Sequence, residues 1–508
     1  MKFTQRLANF FSPPEAAQRR AIGGGPRGGV ASRSLLAAMP GVGADDIVRM
    51  SSSANQVIRA HLTRMRDQAR GLALNNDYVR SFLRQVEHHT VGPAGIRMQN
   101  KARDASGTLD AMANRIVEAA WEDWCKPENC DVRGRQSFRA LQKSCIRTVA
   151  MDGEAFFRKV LGFKNSAHRF ALQPIPAHLV DETYFDDRLR VICGIQFDEW
   201  GRPLAYFLRQ DGPFSDSLVR GANGRQYLRV PAEEMIHVFL NEFTDQVRGL
   251  PWLHTSMIRL HQLGAYEEAE VIAARLGASK MGFLVSPEGG AEALADGVDE
   301  RGGGLTQEVS PGMVETLPTG YDFKSFDPTH PSGNFGPFVK ATLRGISSGL
   351  GVSYNMLASD LEGVNYSSLR AGVQEDREQW RALQRELREQ FLDKVFPDWI
   401  EYASLAGAIS PLPASKLPKF SAPIWQFRGW AWVDPKKDIE ASILAINSGL
   451  KTRTQVMADQ GLDFEEVLMQ LEEEQKMIKK YGVEVVPAVL PTQGFSNPKQ
   501  IEADDEAE

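Results

Sequence analysis

The chain has 508 residues, of which 42% are hydrophobic and 24% are charged, and this composition is typical of a large globular protein rather than a disordered or fibrous one. Its formal net charge of −6 argues against a simple DNA-gripping protein, which would be strongly basic. No apolar run approaches the ~18 residues that a membrane span needs, and the N-terminus has no signal-peptide core, so we expect a cytoplasmic product with no membrane partner.

Residues 1–44 are predicted to be a flexible N-terminal arm. They contain Gly23-x-Gly25-x-x-Gly28, which formally matches a dinucleotide-binding fingerprint. No predicted strand precedes these glycines, and Pro26 and serine-rich sequence follow where a helix should begin. A mobile, slightly basic tail fits the segment better.

Residues 54–90 are predicted to form two amphipathic helices. Their apolar face would carry Val57, His61, Met65 and Leu72, followed by a similar stripe in the second helix. The other face is rich in arginine, which indicates either a solvated surface or a contact with an acidic partner; both interpretations stay open. Downstream helices are predicted from stripes such as Phe138, Leu141, Cys145 and Val149.

The middle of the chain changes to a period of two. Residues 191–210 read as two strands around a turn at Glu199–Pro203, and residues 235–240 read as another strand. The four cysteines lack metal-ligand spacing and are expected to be free buried thiols.

A second helical region follows. Residues 249–280 predict a long helix with Pro251 in its first turn, and residues 335–350 predict a shorter one. Between them the sequence is rich in glycine and proline. After a glycine-containing loop, residues 366–396 predict the longest helix, charged on its outer faces. Residues 434–480 predict three helices broken at Gly449 and Gly461.

Motifs for catalysis are missing from the sequence. We find no G-x4-G-K-[ST] phosphate loop, no H-E-x-x-H zinc motif and no G-x-S-x-G nucleophile elbow. The pair His88-His89 has no carboxylate at helical spacing to complete a metal site. We therefore predict no catalytic residue, no metal and no cofactor.

Five blocks of sequence, in order, resemble the portal proteins of lambda-type tailed bacteriophages. They are RMRDQARGLALNNDYVRSFLRQVEHHTVGPAGIRMQ, DGEAFFRKV, EMIHVFLNEFTDQVRGLPWL, SSGLGVSYNMLASDLEGVNYSSLRA and WVDPKKDIEASILAINSGLKT. The strongest matches are the helix junction from Arg70-x-Leu72 to Asn75-Asn76, the step Gln246-x-Arg248-Gly249, and the segment from Gly351-Val352-Ser353-Tyr354 to Tyr366-Ser367-Ser368. The resemblance covers roughly residues 45–480.

This resemblance implies an α+β portal fold with a helical stem, a mixed α/β wing, a small clip and a helical crown, assembled as a ring of about twelve subunits. The implied regions, in chain order, are the arm 1–44, wing 45–250, first stem helix 251–278, clip 279–334, second stem helix 335–354, tunnel loop 355–366, wing 367–433, crown 434–480 and acidic tail 481–508.

The resemblance also implies a function. The ring would be a head-tail connector at one capsid vertex, through which double-stranded DNA is packaged and later ejected. Its partners would be further copies of itself, the large terminase subunit, the major capsid protein and a head-tail adaptor. It would belong to the virion, and to the host cytoplasm during assembly.

Residues can be assigned to these roles by position. The tunnel-loop residues would be Asp360, Glu362, Gly363, Val364, Asn365 and Tyr366. Lys340 and Arg344 on the second stem helix would either steer DNA phosphates or be ordinary solvated residues. The loop would either narrow the channel or be a plain helix connection. Subunits would meet through opposite charges, at Arg66 and Arg70 on one face and Glu375 and Glu378 on another.

Charge explains why such a ring would not clamp DNA. The net charge of −6 per chain becomes about −72 in a ring of about twelve, so the general field opposes the phosphate backbone. Two other functions stay open on the sequence: a nucleic-acid-processing enzyme, and a minor capsid protein without a channel.

Overall fold

A computed structural model describes residues 53–209, 218–220, 226–278, 282–285, 322–325, 334–363, 365–430 and 435–481. The predicted arm 1–44, most of the predicted clip 279–334, Val364 and all but the first residue of the predicted tail 481–508 lie outside these ranges. The described chain has runs of helices on either side of a run of antiparallel strands, which is an α+β arrangement.

The helices range in length from four to 22 residues. They are α1 (Ala54–Asn75), α2 (Asp77–Thr90), α3 (Ala111–Trp124), α4 (Pro127–Cys130), α5 (Phe138–Asp152), α6 (Met257–Ala278), α7 (Phe335–Leu350), α8 (Tyr354–Ala358), α9 (Tyr366–Leu387), α10 (Asp393–Leu405), α11 (Leu417–Phe420), α12 (Pro435–Asn447), α13 (Arg453–Asp459) and α14 (Phe464–Tyr481).

The strands are short and pair in an antiparallel manner. They are β1 (Arg97–Asn100), β2 (Glu154–Leu161), β3 (Phe170–Ile175), β4 (Val191–Ile192), β5 (Ile195–Phe197), β6 (Pro203–Arg209), β7 (Leu218–Arg220), β8 (Gln226–Pro231), β9 (Met235–Phe239), β10 (Gly282–Val285), β11 (Asp322–Ser325) and β12 (Pro423–Gln426).

Within the described ranges these pairings form four sheets. One has the order β3-β2-β9, and a larger one has the order β4-β5-β6-β8-β7. The predicted strand at 235–240 is confirmed as β9, and the second strand predicted within 191–210 is confirmed as β6. The first is not one strand but two, β4 and β5, which pair with each other across Cys193 and Gly194, both with positive φ. Two further sheets have two strands each, β1 with β12 and β10 with β11, and β1–β12 joins parts of the chain that are far apart in sequence.

The main core lies between α3, α5 and α10. Trp121 is packed with its ring centroid 4.8 Å from that of Trp124 and 4.8 Å from that of Trp399. All three indoles are buried, as is Phe138, which confirms its predicted place in a core stripe. Such large aromatic side chains contribute a large share of the apolar area that stabilises a fold.

The buried face of α1 differs from the predicted one. Val57 and Met65 are only half-buried and His61 is exposed. The residues that face the core are Ala54, Ile58, Leu62, Arg66, Ala69 and Ala73. The prediction is wrong because it placed Arg66 on the outer face, whereas this arginine lies within the buried stripe.

Three predicted element boundaries also need correction. Helix α6 begins at Met257, since Pro251 is followed by a 3-10 turn over Trp252–Thr255. The short helix α8 begins at Tyr354 and occupies the first four residues of the predicted loop 355–366. The long helix does not end near residue 396; it passes through a π turn at Arg388–Leu392 and continues past Pro397 to Leu405. Burial of Phe396, Trp399 and Ile400 outweighs the cost of the proline there.

The C-terminal helices α12, α13 and α14 confirm the three predicted helices between 434 and 480. Gly449 and Gly461, at the two breaks, have φ values of 71° and 75°, a region that favours glycine. These helices contact the rest of the chain through ion pairs: Arg370 lies 2.6 Å from Asp438, and Lys101 lies 2.8 Å from Glu465.

Candidate functional site

Two antiparallel helices, α6 and α7, lead to the candidate site. Near one end, the hydroxyl of Thr255 donates to the carbonyl of Gly349 at 3.1 Å, and that of Ser256 donates to the carbonyl of Ile346 at 3.3 Å. A Cβ at Gly349 would lie only 2.6 Å from the Ser256 hydroxyl. Glycine at this position therefore lets the two helices approach closely.

The chain leaves α7 through a left-handed turn. Gly351, with φ 66°, ends the helix, and α8 follows after two residues. The backbone N–H of Ser353 donates to the carboxylate of Asp376 on α9 at 3.1 Å. Because α9 is itself packed on the core through Trp380, this bond ties the start of α8 to a fixed part of the molecule.

The residues after α8, 359–363, form what we call the acidic turn. Ser359 and Gly363 both have positive φ, 53° and 70°. Within the turn, the carboxylate of Asp360 accepts from the backbone N–H of Glu362 at 2.9 Å, and it also accepts from the hydroxyl of Tyr354 at 2.7 Å. The turn is therefore closed by polar contacts of Asp360, one to the backbone of the turn itself and one to Tyr354 of α8.

The predicted channel cation and the predicted loop acids meet in the structure. The ammonium of Lys340 donates to Glu362 at 2.6 Å and lies 3.5 Å from the Asp360 carboxylate. The guanidinium carbon of Arg344, one helical turn further along, lies 5.5 Å from the centre of the Tyr354 ring. We call Lys340, Arg344, Tyr354, Asp360 and Glu362 the junction cluster.

Hydrogen bonds within the junction cluster shift the pKa values of Lys340 and Asp360 in the directions that favour their charged forms. The bond to Glu362 raises the pKa of Lys340 above its ordinary value, and the bond from Tyr354 lowers the pKa of Asp360. The side chains stay in contact with solvent, since Glu362 is 79% exposed and Lys340 39% exposed. Exposed pairs of this kind are readily broken and reformed.

The remaining predicted site residues are placed as follows. Asn365 is exposed, and Tyr366 begins α9. Val364 lies outside the described residues. Glu375 and Glu378 are exposed on α9, and Glu378 forms an ion pair with Arg381.

The two predicted interface arginines lie elsewhere than expected. Arg66 is only 2% exposed and pairs with Glu154 of the same chain. Arg70 makes a two-bond contact with the Asp152 carboxylate, at 2.8 and 2.7 Å. The assignment of Arg66 to a subunit interface is therefore wrong, because its guanidinium is enclosed within its own subunit. Arg70 is committed to an internal partner, although about a third of its side chain is exposed.

Arg66 belongs to a buried ion cluster, which we define as Arg66, Glu154, His237 and Arg248. Arg248 is fully buried, and its Nε lies 2.9 and 3.0 Å from the two Glu154 carboxylate oxygens. The ring of His237 lies 2.9 Å from the same carboxylate. A fully buried carboxylate is tolerated only when charges and hydrogen bonds surround it, as they do here.

This buried ion cluster connects separate elements. Arg66 belongs to α1, Glu154 to β2 and His237 to β9, while Arg248 belongs to the segment that leads to α6. The Arg248 guanidinium also donates to the carbonyl of Cys193 at 2.7 Å. The cluster therefore fixes the segment that leads to α6 against the three-stranded and the five-stranded sheet.

Burial and neighbouring charges have opposite effects on the pKa of Glu154 in the buried ion cluster. Burial alone would raise the pKa of Glu154, but Arg248 and Arg66, followed by His237, lower it well below the ordinary value. Burial lowers the pKa of His237, which keeps this ring neutral at neutral pH. The cluster thus holds one carboxylate between two guanidinium groups.

Sequence reasoning missed Glu154 and His237 as members of this cluster. The available signals were the quoted blocks DGEAFFRKV, which contains Glu154, and EMIHVFLNEFTDQVRGLPWL, which contains both His237 and Arg248. Within the described residues, no group of three or more His, Cys, Asp and Glu side chains is arranged to hold a metal ion. None of the helices described here is both long and apolar enough to span a membrane.

Comparison with protein families gives one match that covers most of the chain. The model described as phage portal protein, lambda family, matches residues 43–384. The probable portal protein of Halomonas phage phiHAP-1 is 35% identical over 442 residues, which is 85% of this chain and 84% of that protein. Portal protein B of Escherichia phage lambda is 22% identical, over 83% of this chain and 85% of that protein.

Solved structures give weaker similarity. The neck of an empty gene transfer agent particle, computed with C6 symmetry, contains a chain with a TM-score of 0.42 and 15% identity, over 80% of this chain and 93% of that one. The neck of the native particle, computed with C12 symmetry, gives 0.39 and 14%, over 78% and 94%.

Proposed function

Because the chain belongs to the lambda family of phage portal proteins, a family of virion components, we propose that its copies close into a ring around a DNA channel. The ring would have about twelve subunits and stand at one vertex of the capsid. Double-stranded DNA would enter through it during packaging and leave through it during ejection. The observation that carries this proposal is the family match over residues 43–384, which includes α6, α7 and the acidic turn.

The geometry of α6 and α7 supports a stem made of these two helices. They run antiparallel: Thr255 contacts Gly349 near one end, and the ring of Tyr266 lies 4.9 Å from that of Phe338 toward the other. The region between them, 279–334, would be the clip, of which 282–285 and 322–325 pair as β10 and β11. The acidic turn, which follows α8 in the chain, would extend toward the channel.

The charges of this region suit a conduit. A channel wall that carries one free lysine per subunit would offer a ring of about twelve cations to the phosphate backbone. In this structure Lys340 is instead paired with Glu362 and Asp360. A wall whose lysines are neutralised by neighbouring acids would attract duplex DNA weakly, so the DNA would slide rather than stick.

The same ring would provide docking surfaces for other components. We assign the clip to the large terminase subunit during packaging and to the head-tail adaptor afterwards, and the outer surface to the major capsid protein. The helices α12 to α14 would form a crown facing the capsid interior. Assembly would take place in the host cytoplasm.

Contacts between subunits are assigned to residues that the structure leaves at the surface. Glu375 and Glu378 on α9 are exposed, as are Arg80 and Arg84 on α2. A closed ring needs two different faces of each subunit to meet, and opposite charges on these faces would favour the correct contact. Reversing Arg80 and Arg84 to glutamate should weaken ring assembly, which native mass spectrometry would measure; unchanged assembly would remove this assignment.

Electron microscopy of the purified full-length chain tests the proposed function. We expect closed rings with a central hole wide enough for duplex DNA, and native mass spectrometry should give the subunit number. Particles without a hole, or a chain that stays monomeric at all concentrations, would contradict the proposal. A bore that clamped duplex DNA tightly at physiological ionic strength would contradict its weakly attractive lining.

A further inference from the structure

We propose that Lys340 and Arg344 form a phosphate-contact site on α7, and that the acidic turn of the same subunit covers this site until the turn moves. The ligand would be the phosphodiester backbone of duplex DNA, so the proposal rests on the proposed channel function. It adds to that function a site whose affinity depends on the position of one turn.

The two cations are spaced to act together. Lys340 and Arg344 are four residues apart on α7, so their side chains leave the same face of the helix. Arg344 is exposed, and Lys340 is partly exposed beside it. A flexible ammonium next to a planar guanidinium is a combination that binds phosphate groups through charge-assisted hydrogen bonds.

The acidic turn occupies the place that a phosphate would take. Carboxylate oxygens of Glu362 and Asp360 lie 2.6 and 3.5 Å from the Lys340 ammonium. The hydroxyl of Tyr354 holds Asp360 at 2.7 Å, and the Tyr354 ring lies against Arg344. A phosphate oxygen would therefore have to displace the carboxylates from Lys340, while Arg344 lies beside them against the ring that holds Asp360.

The cover is held by interactions that are easily exchanged. Glu362 is 79% exposed, and exposed ion pairs contribute little because water screens them. The turn is bounded by Ser359 and Gly363, both with positive φ, so it is separate from the helical backbone on each side. A dense row of phosphates passing the turn would compete with Glu362 for the lysine.

Amine labelling of Lys340 in purified rings tests the cover directly. We expect Glu362→Gln to raise the rate at which an acylating reagent modifies Lys340 by about two- to fivefold, since the carboxylate no longer shields the amine. The matched control is Glu472→Gln on α14. It removes the partner of another exposed pair, Lys476–Glu472 at 2.6 Å, and changes the net charge equally. That control should affect Lys476 and leave Lys340 unchanged.

Binding of a random-sequence duplex to the same rings tests the ligand. Rings of Glu362→Gln should bind more tightly than wild type, with a steeper decrease of affinity as salt is added, because each uncovered cation releases further counterions. Rings of Glu472→Gln should match wild type. Adding Lys340→Gln to Glu362→Gln should remove the gain.

Three results would overturn the inference. Lys340 labelling that is equal in wild type and Glu362→Gln would show that the turn does not cover the amine. An equal gain in DNA binding with Glu472→Gln would show a general charge effect. A gain that survives Lys340→Gln would place the contact elsewhere. Labelling can be read on unassembled chains too, so failure to form rings would count against the proposed function and not against the cover.

Discussion

The buried ion cluster and the junction cluster use the same chemistry in opposite surroundings. In both, a glutamate carboxylate meets nitrogen cations at hydrogen-bond distance: Glu154 with Arg248 and Arg66, and Glu362 with Lys340. Glu154 is fully buried, whereas Glu362 is 79% exposed. Solvent cannot reach the buried Glu154 to replace a lost partner. It can replace a lost partner of Glu362, because this side chain is exposed.

This difference separates a fixed joint from an adjustable contact. Around Glu154, desolvation makes the loss of any charged partner costly. The buried ion cluster therefore holds α1, the three-stranded and five-stranded sheets and the segment that leads to α6 in one arrangement. Around Glu362, solvent screens the pair, so the acidic turn can exchange partners at little cost. The location of each cluster agrees with its character, since the buried one lies where elements join and the exposed one lies at a turn.

The largest effect should come from breaking the buried ion cluster. Glu154→Gln leaves Arg248 buried without the carboxylate that it contacts, and leaves Arg66 with only the more distant Glu182, 3.7 Å away. We expect the free energy of unfolding to fall by about 3–5 kcal/mol, measured by chemical denaturation followed by circular dichroism. The matched control is Glu234→Gln. Its partner Arg158 lies 3.0 Å away, and both side chains are about one-third exposed, so the loss should stay below about 1 kcal/mol. Equal losses would remove the distinction between the two kinds of cluster.

A smaller loss should follow from adding one methyl group beside the same cluster. The backbones of Gly153 and Gly249 cross so closely that a Cβ at Gly249 would lie 2.0 Å from the Gly153 carbonyl oxygen. Gly249→Ala should therefore destabilise the fold by about 2–3 kcal/mol, as thermal unfolding would report. Gly264→Ala, in the open middle of α6, should be neutral or stabilising, because no atom lies within 4 Å of its Cβ. A harmless Gly249→Ala would mean that this crossing can relax.

A pH-dependent loss of stability, smaller than the two above, is expected at the half-buried His89. Burial and, next, Arg428 lower the pKa of His89 from 6.5 to about 4, while Trp430 donates to its Nδ1 at 3.2 Å. Between these two pH values the unfolded histidine binds a proton that the folded one does not. The free energy of unfolding should therefore decrease as the pH falls from 6.5 to 4, by about 1–2 kcal/mol after screening.

His89→Gln keeps an acceptor for Trp430 and should flatten this pH dependence, measured as the denaturant midpoint at several pH values. Other histidines whose pKa is lowered by burial, such as His237, remain in both proteins and cancel in the comparison. His61→Gln, at an exposed position on α1, should leave the dependence unchanged. A dependence that His89→Gln does not alter would assign the effect to other groups.

The smallest effect should come from the junction cluster. Glu362→Gln is the same chemical change as Glu154→Gln, but it should leave the thermal unfolding temperature unchanged within error, because water replaces the lost partner. Differential scanning calorimetry of the two variants side by side measures the contrast. A clear decrease for Glu362→Gln would mean that the acidic turn is part of the fixed framework.

Local patterns in the sequence predicted much of the fold. The strands around Glu199–Pro203 and the breaks at Gly449 and Gly461 follow from short-range rules, because period-two alternation and glycine signals act over a few residues. The continuation of α10 past Pro397 could not be predicted in this way. It depends on burial of Trp399 against Trp121, a contact between distant parts of the chain.

The candidate sites were predictable to different extents. Asp360, Glu362 and Lys340 were identified by position, but their pairing was not, since it depends on how the turn folds back onto α7. Arg66 was assigned to the surface because a charged residue normally marks the outer face of a helix. Its partner Glu154 is 88 residues away, so no local pattern could have indicated the exception.

The pairing of β1 with β12 has a consequence for synthesis. The amide of Ala422 donates to the side chain of Asn100, 322 residues earlier in the chain. At about 5–20 residues per second, a ribosome needs roughly 16 to 64 s between these two points. During that interval the nascent polypeptide carries an unpaired strand edge beside an incomplete tryptophan core. Chains released before Pro423–Gln426 has been synthesised lack the strand that pairs with β1, so this sheet can form only after that point of translation.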